Sequence, residues 1–319
     1  MPMDTDQWLQ RRQARRQGLV WKIIAVLALT TVGVLVVSGL SSTNFGGMAK
    51  LSLLGGGETN MTSDHIARLN IEGIIMEDRW RDALIQEIQD DPLVKGVVVY
   101  VNSPGGAVVG GENLYRNLRA LGEVKPVAAV MGSLAASAGY MTAISADRIF
   151  AREGTLTGSI GVLFEATEVT GLLGKLGVKA EMVKSAPLKA QPNPIEPFSV
   201  EGRAAIKAVV MDMYDMFVDM VAGRRKLSRD QVLKLADGRI FTGRQAVKNG
   251  LVDQIGGESE AVAWMETEKG IEKNLPVFEV KPTYPRPDFI KRMLGATGKA
   301  LFSERLALDG LLAVWHPKM

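Results

Sequence analysis

Ser137 is the residue best placed to act as a nucleophile. It stands in Met131-Gly-Ser-Leu-Ala-Ala-Ser137-Ala-Gly-Tyr140, where small residues crowd a serine just behind the short apolar run Pro126–Met131. That run suits a buried strand, and the alanine-rich residues 135–146 suit a helix packed closely on a neighbour. A serine at the turn between them meets the free N–H groups of a helix start, which stabilise negative charge. The same composition also describes a plain packing site, since Ser among Ala and Gly lets two backbones approach. Taken alone, the stretch fits packing better than catalysis.

Two further segments have the same double character. Asn102-Ser-Pro-Gly105-Gly106 follows an apolar run, and its glycines allow the close backbone approach and positive φ that an oxyanion hole built from N–H groups requires. It reads equally as a Pro-Gly turn. Thr157-Gly-Ser159-Ile-Gly-Val162 is either a tight turn before a buried strand or a place where a hydroxyl is held towards a site. It is not a phosphate-binding loop, because the Gly-Lys-Ser/Thr ending is missing.

A nucleophilic serine needs a base, and composition narrows the choice. The 319 residues contain no cysteine and two histidines, His65 and His316. This excludes a thiol nucleophile, a disulfide framework and cysteine-based zinc sites, and leaves no histidine cluster for a metal. His65 stands at the entry to the first strand and His316 near the end of the sequence. A lysine can accept the proton when burial favours its neutral amine, and Lys184 and Lys189 both stand beside the proline-rich Ser185–Pro197 segment. Each reads equally as a solvated surface charge. The net charge of +3 gives no nucleic-acid-binding body: residues 1–22 hold five of the 38 basic and two of the 35 acidic residues, leaving 33 of each sign.

The elements that must position these residues follow in order. Residues 1–22 form a basic tail, and Ile23–Leu40 is an uncharged run long enough to cross a bilayer of roughly 30 Å. The arginines before it place the N-terminus in the cytoplasm and the remainder outside. A cleaved signal peptide is the rival reading, with small residues near Val36–Leu40. Residues 41–63 are a Gly/Ser/Thr/Asn-rich tether. From Asp64 onward, strands are expected at Ile66–Ile75 (with a turn at Glu72-Gly73), Val94–Val101, Pro126–Met131, Arg148–Ala151 and Ala180–Lys184. Helices are expected at Arg79–Gln89, Glu112–Leu121, Val169–Leu176, Val200–Val221, Ser228–Leu235, Thr242–Asn249 and Glu258–Glu268. The alternation implies an α/β body. The amphipathic stretch Phe289–Val314 suits a membrane, a partner subunit or the body's own core.

Together these segments resemble the short bacterial type of the signal peptide peptidase A family, within the Clp protease and crotonase superfamily. The resemblance covers residues 64–270 and rests on the three motifs above, on Lys184-Ser185 with Lys189 beyond it, and on Asp237-Gly-Arg-Ile-Phe-Thr-Gly243. It implies an α/β fold of repeated ββα units behind an N-terminal transmembrane helix, with residues 271–319 as a C-terminal extension. It also implies a serine–lysine dyad with Ser137 as nucleophile and Lys189 as general base, while Lys184 is not catalytic. Ser159 would orient the lysine, and Gly105, Gly106 and Ala138 are the candidates for the oxyanion hole. Ala138 stands where many relatives carry glycine, and the run after Lys189 lacks the arginine common there. The implied protein is an endopeptidase at the bacterial inner membrane, single-pass with its catalytic body outside the cytoplasm. It acts on released signal peptides and other apolar peptides and assembles as a homo-oligomer, an octamer in short forms, with each site built from neighbouring subunits. No cofactor, metal or nucleic acid is implied. The other readings are a related Ser/Lys protease with one membrane-protein target, a crotonase-like acyl-CoA enzyme, and an inactive scaffold.

Overall fold

The computed structural model describes residues 63–284 and 311–314. The expected basic tail, transmembrane run and tether lie outside them, apart from Ser63, as does most of the C-terminal extension after Tyr284. Among the described residues no helix is long and apolar enough to cross a membrane.

The body is an α/β structure around one ten-stranded sheet. Its centre is β1 (His65–Ile75), β2 (Val94–Ala107), β3 (Val127–Ala136) and β4 (Arg148–Ala151), joined as parallel neighbours in the order β1-β2-β3-β4. The crossovers are helices α1 (Arg79–Asp90) and α2 (Val108–Gly122), and the short α3 (Ala138–Ala143) follows β3 directly. These strands are continuous apolar runs because both faces are covered, as parallel sheets require. Alternation sorts the side chains: Val97, Val99, Val101, Val127, Ala129 and Met131 enter the core on the α1–α3 side. Their neighbours Val98, Ala128, Val130 and Phe150 pack on the other side against Trp264 and Met265 of α8 (Glu258–Glu268).

Short strands complete the sheet. β5 (Leu156–Gly158) continues along β3 beyond the end of β4, and β7 (Ile240–Thr242) pairs antiparallel with β5. β6 (Leu163–Phe164), β8 (Gln254–Ile255) and β9 (Val277–Val280) lie at the margins, and β10 (Leu311–Val314) stands between β6 and β2. The remaining helices are α4 (Thr170–Lys175), α5 (Val200–Arg225), α6 (Arg229–Leu233) and α7 (Gly243–Lys248). Capping boxes start the last two, Ser228 with Gln231 and Thr242 with Gln245.

Several expected boundaries move, each for a tertiary reason. β2 runs through the Asn102–Gly106 motif instead of stopping at Val101, because β1 pairs with it as far as Gly106. The expected turn at Glu72-Gly73 is a bulge inside β1, with Gly73 at φ 70° and the register slipping between Glu72 and Ile74. β3 extends to Ala136, so the alanine-rich helix starts only at Ala138. Residues 180–184 form no strand.

Helix α3 is buried at every position. Among the described residues its polar tether outward is Tyr140, fully buried, whose hydroxyl donates to the Leu251 carbonyl at 2.9 Å. Tyr140→Phe leaves that carbonyl without its donor and is expected to lower unfolding free energy by about 1–3 kcal/mol. The urea midpoint should fall with an unchanged m-value; an unchanged midpoint would show that the bond contributes nothing.

Candidate functional site

The site is a product of two interruptions in the central sheet. Pro104 has no N–H to give to a ladder, and opposite this part of β2 the partner strand bulges at Gly73. Ser103, fully buried, fills the gap: its Oγ donates to the Gly73 carbonyl at 2.6 Å and accepts from Gly105 N at 3.0 Å. On the opposite edge the β2–β3 register slips between Val101 and Ser103, and the Leu134 N–H is met by Asn102 Oδ1 at 3.2 Å. The polar residues of the Asn102–Gly106 motif therefore hold the strand ends, while its glycines permit close approach. A Cβ on Gly106 would stand 1.8 Å from the Ile75 carbonyl oxygen, and Gly105 has φ 113°.

β3 changes partner in the same region, from β4 at Ala128–Met131 to β5 at Leu134–Ala136. The hydroxyls of Thr155 and Thr157 donate to the carbonyls of Gly132 and Ala135, each at 2.7 Å, and secure the change. Directly after Ala136, Ser137 turns the chain into α3 with φ 55° and ψ −120°. A non-glycine residue held there costs about 1–3 kcal/mol. It is fixed on both sides, since Ser137 N donates to Gly158 O at 2.9 Å and Ser137 O accepts from Met141 N at 2.8 Å. The side chain is buried, and its Oγ has no hydrogen-bond partner among the described residues. A strained strand-to-helix turn that presents a desolvated, uncommitted hydroxyl is the geometry of a nucleophile.

Ser159 stands beside it. Ala136 pairs with Gly158, so the two serines leave the sheet at the same level, and Ser159 is likewise at positive φ, 49°, with its N–H donating to Arg239 O at 2.8 Å. The Asp237–Gly243 motif is thereby placed at the site through β7. Ala138, the first residue of α3, has no intrahelical carbonyl for its N–H. The Gly105 N–H is engaged by Ser103 Oγ, which leaves Gly106 and Ala138 as the donors to consider. Residues 135–139 reach β2 closely: a Cβ on Gly139 would lie 2.9 Å from the Ser103 carbonyl oxygen.

The lysines are separate from this cluster. Lys189 is exposed, in a turn closed by its own N–H to Ala186 O at 3.0 Å, and its ammonium makes no hydrogen bond to Ser137. Lys184 is bound to Glu196, which also accepts from Gln191 Nε2 and Asn193 Nδ2 at 3.0 Å each. These bonds, that from Lys184 foremost, hold the Glu196 carboxyl below its ordinary range. Among the described residues no group of acidic residues or histidines could hold a metal ion. A cavity of about 650 Å³ runs along Arg68, Tyr100, Arg152 and Glu258 and reaches Gly132 and Thr155 at the strand exchange, but Ser137 does not line it.

Sequence reasoning singled out Ser137, Ser159 and the two glycines from their small-residue settings. It did not foresee the parts played by the Asn102 and Ser103 side chains, which exist only because of the register slips.

Comparison with known proteins bears on these motifs. The family model described as peptidase family S49 matches residues 119–272. Over 226 residues the chain is 37% identical to a protein of Enterococcus faecium named for signal peptide peptidase SppA, covering 66% of each chain. A protein of Synechocystis named as a protease is 36% identical over 213 residues, or 66% of this chain and 76% of that one. Protease 4 of Haemophilus influenzae is 35% identical over 209 residues, or 62% of this chain but 34% of that longer one. Among solved structures, a ClpP1 variant from Listeria monocytogenes aligns at TM-score 0.41 and 15% identity, covering 60% of this chain and 92% of that one.

Ser103→Ala removes both bonds at the β1 bulge. It is expected to cost about 1–3 kcal/mol of stability and to cut peptide turnover more than the same loss of stability introduced at Tyr140. Turnover of Ser103→Ala equal to that of Tyr140→Phe at matched folded fraction would show that Ser103 matters for folding alone.

Proposed function

Because the chain belongs to peptidase family S49, as a serine protease of the signal peptide peptidase A type, we propose that it is a membrane-anchored endopeptidase using a Ser137–Lys189 dyad. Its substrates are signal peptides released into the membrane and other apolar peptides. The observation that carries the reading is the buried Ser137 Oγ, without a partner among the described residues, on a strained turn whose backbone is pinned at both ends.

In this mechanism the neutral amine of Lys189 takes the proton of Ser137 Oγ as the oxygen attacks the scissile carbonyl. The carbonyl oxygen, now negative, is received by the N–H groups of Ala138 and Gly106. As the tetrahedral intermediate collapses, the lysine ammonium returns the proton to the leaving amine. Water then repeats the sequence on the acyl-enzyme, passing its proton through the same amine to Ser137 Oγ. Ser159 hydrogen-bonds the amine and holds it in line.

A neutral lysine requires burial, and the exposed turn of Lys189 gains it when a neighbouring copy covers that segment in a homo-oligomer, an octamer by resemblance. In support of such a contact, Leu172, Leu176, Val178, Val183 and Leu188 all stand exposed from α4 to the Lys189 turn. The uncharged run Ile23–Leu40 anchors the assembly in the inner membrane with the body outside the cytoplasm.

The full-length chain, purified in detergent, should cleave apolar peptides and be labelled at Ser137 by a serine-directed phosphonate. Ser137→Ala and Lys189→Ala should each lower kcat by about 10⁴-fold or more, while Lys184→Ala keeps most of the turnover. Full activity in Lys189→Ala would remove that residue as the base, and an unlabelled, inactive wild-type chain would overturn the protease reading itself.

A further inference from the structure

The four central strands carry one row of residues at the same level. Ile71, Val101, Met131 and Ala151 pair across β1, β2, β3 and β4, and all four enter the core on the α1–α3 side. The residues that follow them therefore face the other way, with Glu72 and Arg152 at the two ends of the next row and Gly132 within it. Glu72, Gly132 and Arg152 all line the cavity of about 650 Å³ on that face. Gly132 keeps the row open, since a Cβ there would stand 2.6 Å from the Tyr100 hydroxyl oxygen.

The cavity thus has a negative end and a positive end. Arg68, also on its wall, is paired with Glu258 at 3.4 Å and Glu279 at 3.2 Å, whereas Glu72 and Arg152 make no ion pair among the described residues. Glu260 feels the charge of Arg152 but is engaged by the Gly257 N–H at 2.6 Å. The Arg152 guanidinium lies against Gly257, where a Cβ would come within 2.8 Å of its Cζ, so glycine there makes room for the cation at the cavity's border. Between the ends, Arg68 Nε and Asn70 Oδ1 are buried without a hydrogen-bond partner among the described residues. Asn70 Nδ2 donates to Glu279 Oε1 at 2.9 Å, which commits the amide nitrogen and leaves its oxygen unmatched. A donor and an acceptor unmatched on one wall suit a ligand that carries both.

We propose that this cavity is a binding site for short peptides with two free termini, the terminal carboxylate held by Arg152 and the terminal ammonium by Glu72. Size supports the assignment. β1 and β4 stand three strand spacings apart, roughly 14 Å, and an extended chain covers about 3.3–3.6 Å per residue, so about four residues bridge the two charges. A planar guanidinium takes a carboxylate through two parallel hydrogen bonds, which sets the direction of the bound chain. Only a short fragment brings both free ends within this span, so the ligand is a product of peptide-bond hydrolysis. Because Ser137 does not line the cavity, the site does not depend on that serine being the nucleophile.

The test titrates tetra-alanine into the full-length Ser137→Ala chain in detergent, so that nothing is cleaved, and follows binding by saturation-transfer NMR. The free peptide should bind with Kd of about 1 mM or tighter, and acetylating its amine or amidating its carboxyl should each weaken binding at least about tenfold. Arg152→Gln should abolish the preference for the free carboxyl and keep that for the free amine; Glu72→Gln should do the reverse. Loss of folded protein would weaken every form of the peptide alike and could not give this crossed pattern. Both preferences retained in both variants, or no binding by the unsubstituted cavity up to about 10 mM peptide, overturns the proposal.

Discussion

The hydrogen bond from Ser137 N–H to the Gly158 carbonyl is the constraint on which the rest of the site depends. It is the last rung between β3 and β5, and it holds Ser137 in the sheet while the next residue already belongs to a helix. A backbone pulled in both directions can satisfy them only at an unfavourable φ/ψ, and the positive φ of Ser137 is the result. That rung exists because β3 exchanges β4 for β5 midway, an exchange secured by the hydroxyls of Thr155 and Thr157. The position of one oxygen atom is thus set by how three strands share their edges.

The two halves of the proposed dyad sit on different kinds of scaffold. Ser137 is surrounded by a sheet packed on both faces and by a helix with no exposed position, so it moves only if the core moves. Lys189 lies on a proline-rich surface segment whose order comes from local polar bonds and not from apolar burial. In the proposed mechanism a rigid nucleophile with a separately positioned base couples chemistry to whatever completes the base's surroundings.

Much of this was legible in the sequence, and the misses have specific causes. Arg148–Ala151 and Glu258–Glu268 form the expected elements residue for residue, because apolar run length and a glycine before the acidic first turn are local signals. Asn102–Gly106 carries the composition of a turn, yet it is strand: the ladder with β1 overrides a propensity measured on isolated chain. Residues 180–184 had the right residue types for a strand but no neighbouring edge to pair with, and such a segment does not form alone. Ser137 and Ser159 were visible as serines among small residues. What distinguished them from packing sites, the positive φ of both and the absence of a partner for Ser137 Oγ among the described residues, depends on strand exchange and has no local sequence signature. Both lysines were visible beside the proline-rich segment, the choice of Lys189 over Lys184 came from family resemblance, and a single chain leaves Lys189 in solvent.

The Glu196 carboxylate gathers Lys184, Gln191 and Asn193 around one oxygen, and this has a consequence for where the protein can work. Bonding to Lys184 and its companions lowers the carboxyl below its ordinary value. Its contribution to local order is therefore complete above the ordinary carboxylate range and is lost as pH falls through the lowered value. Acid would undo the knot that shapes the Lys189 turn while leaving the apolar core intact. Acid would therefore loosen one surface segment, while the turn at Ser137 is held by backbone bonds that carry no titratable group.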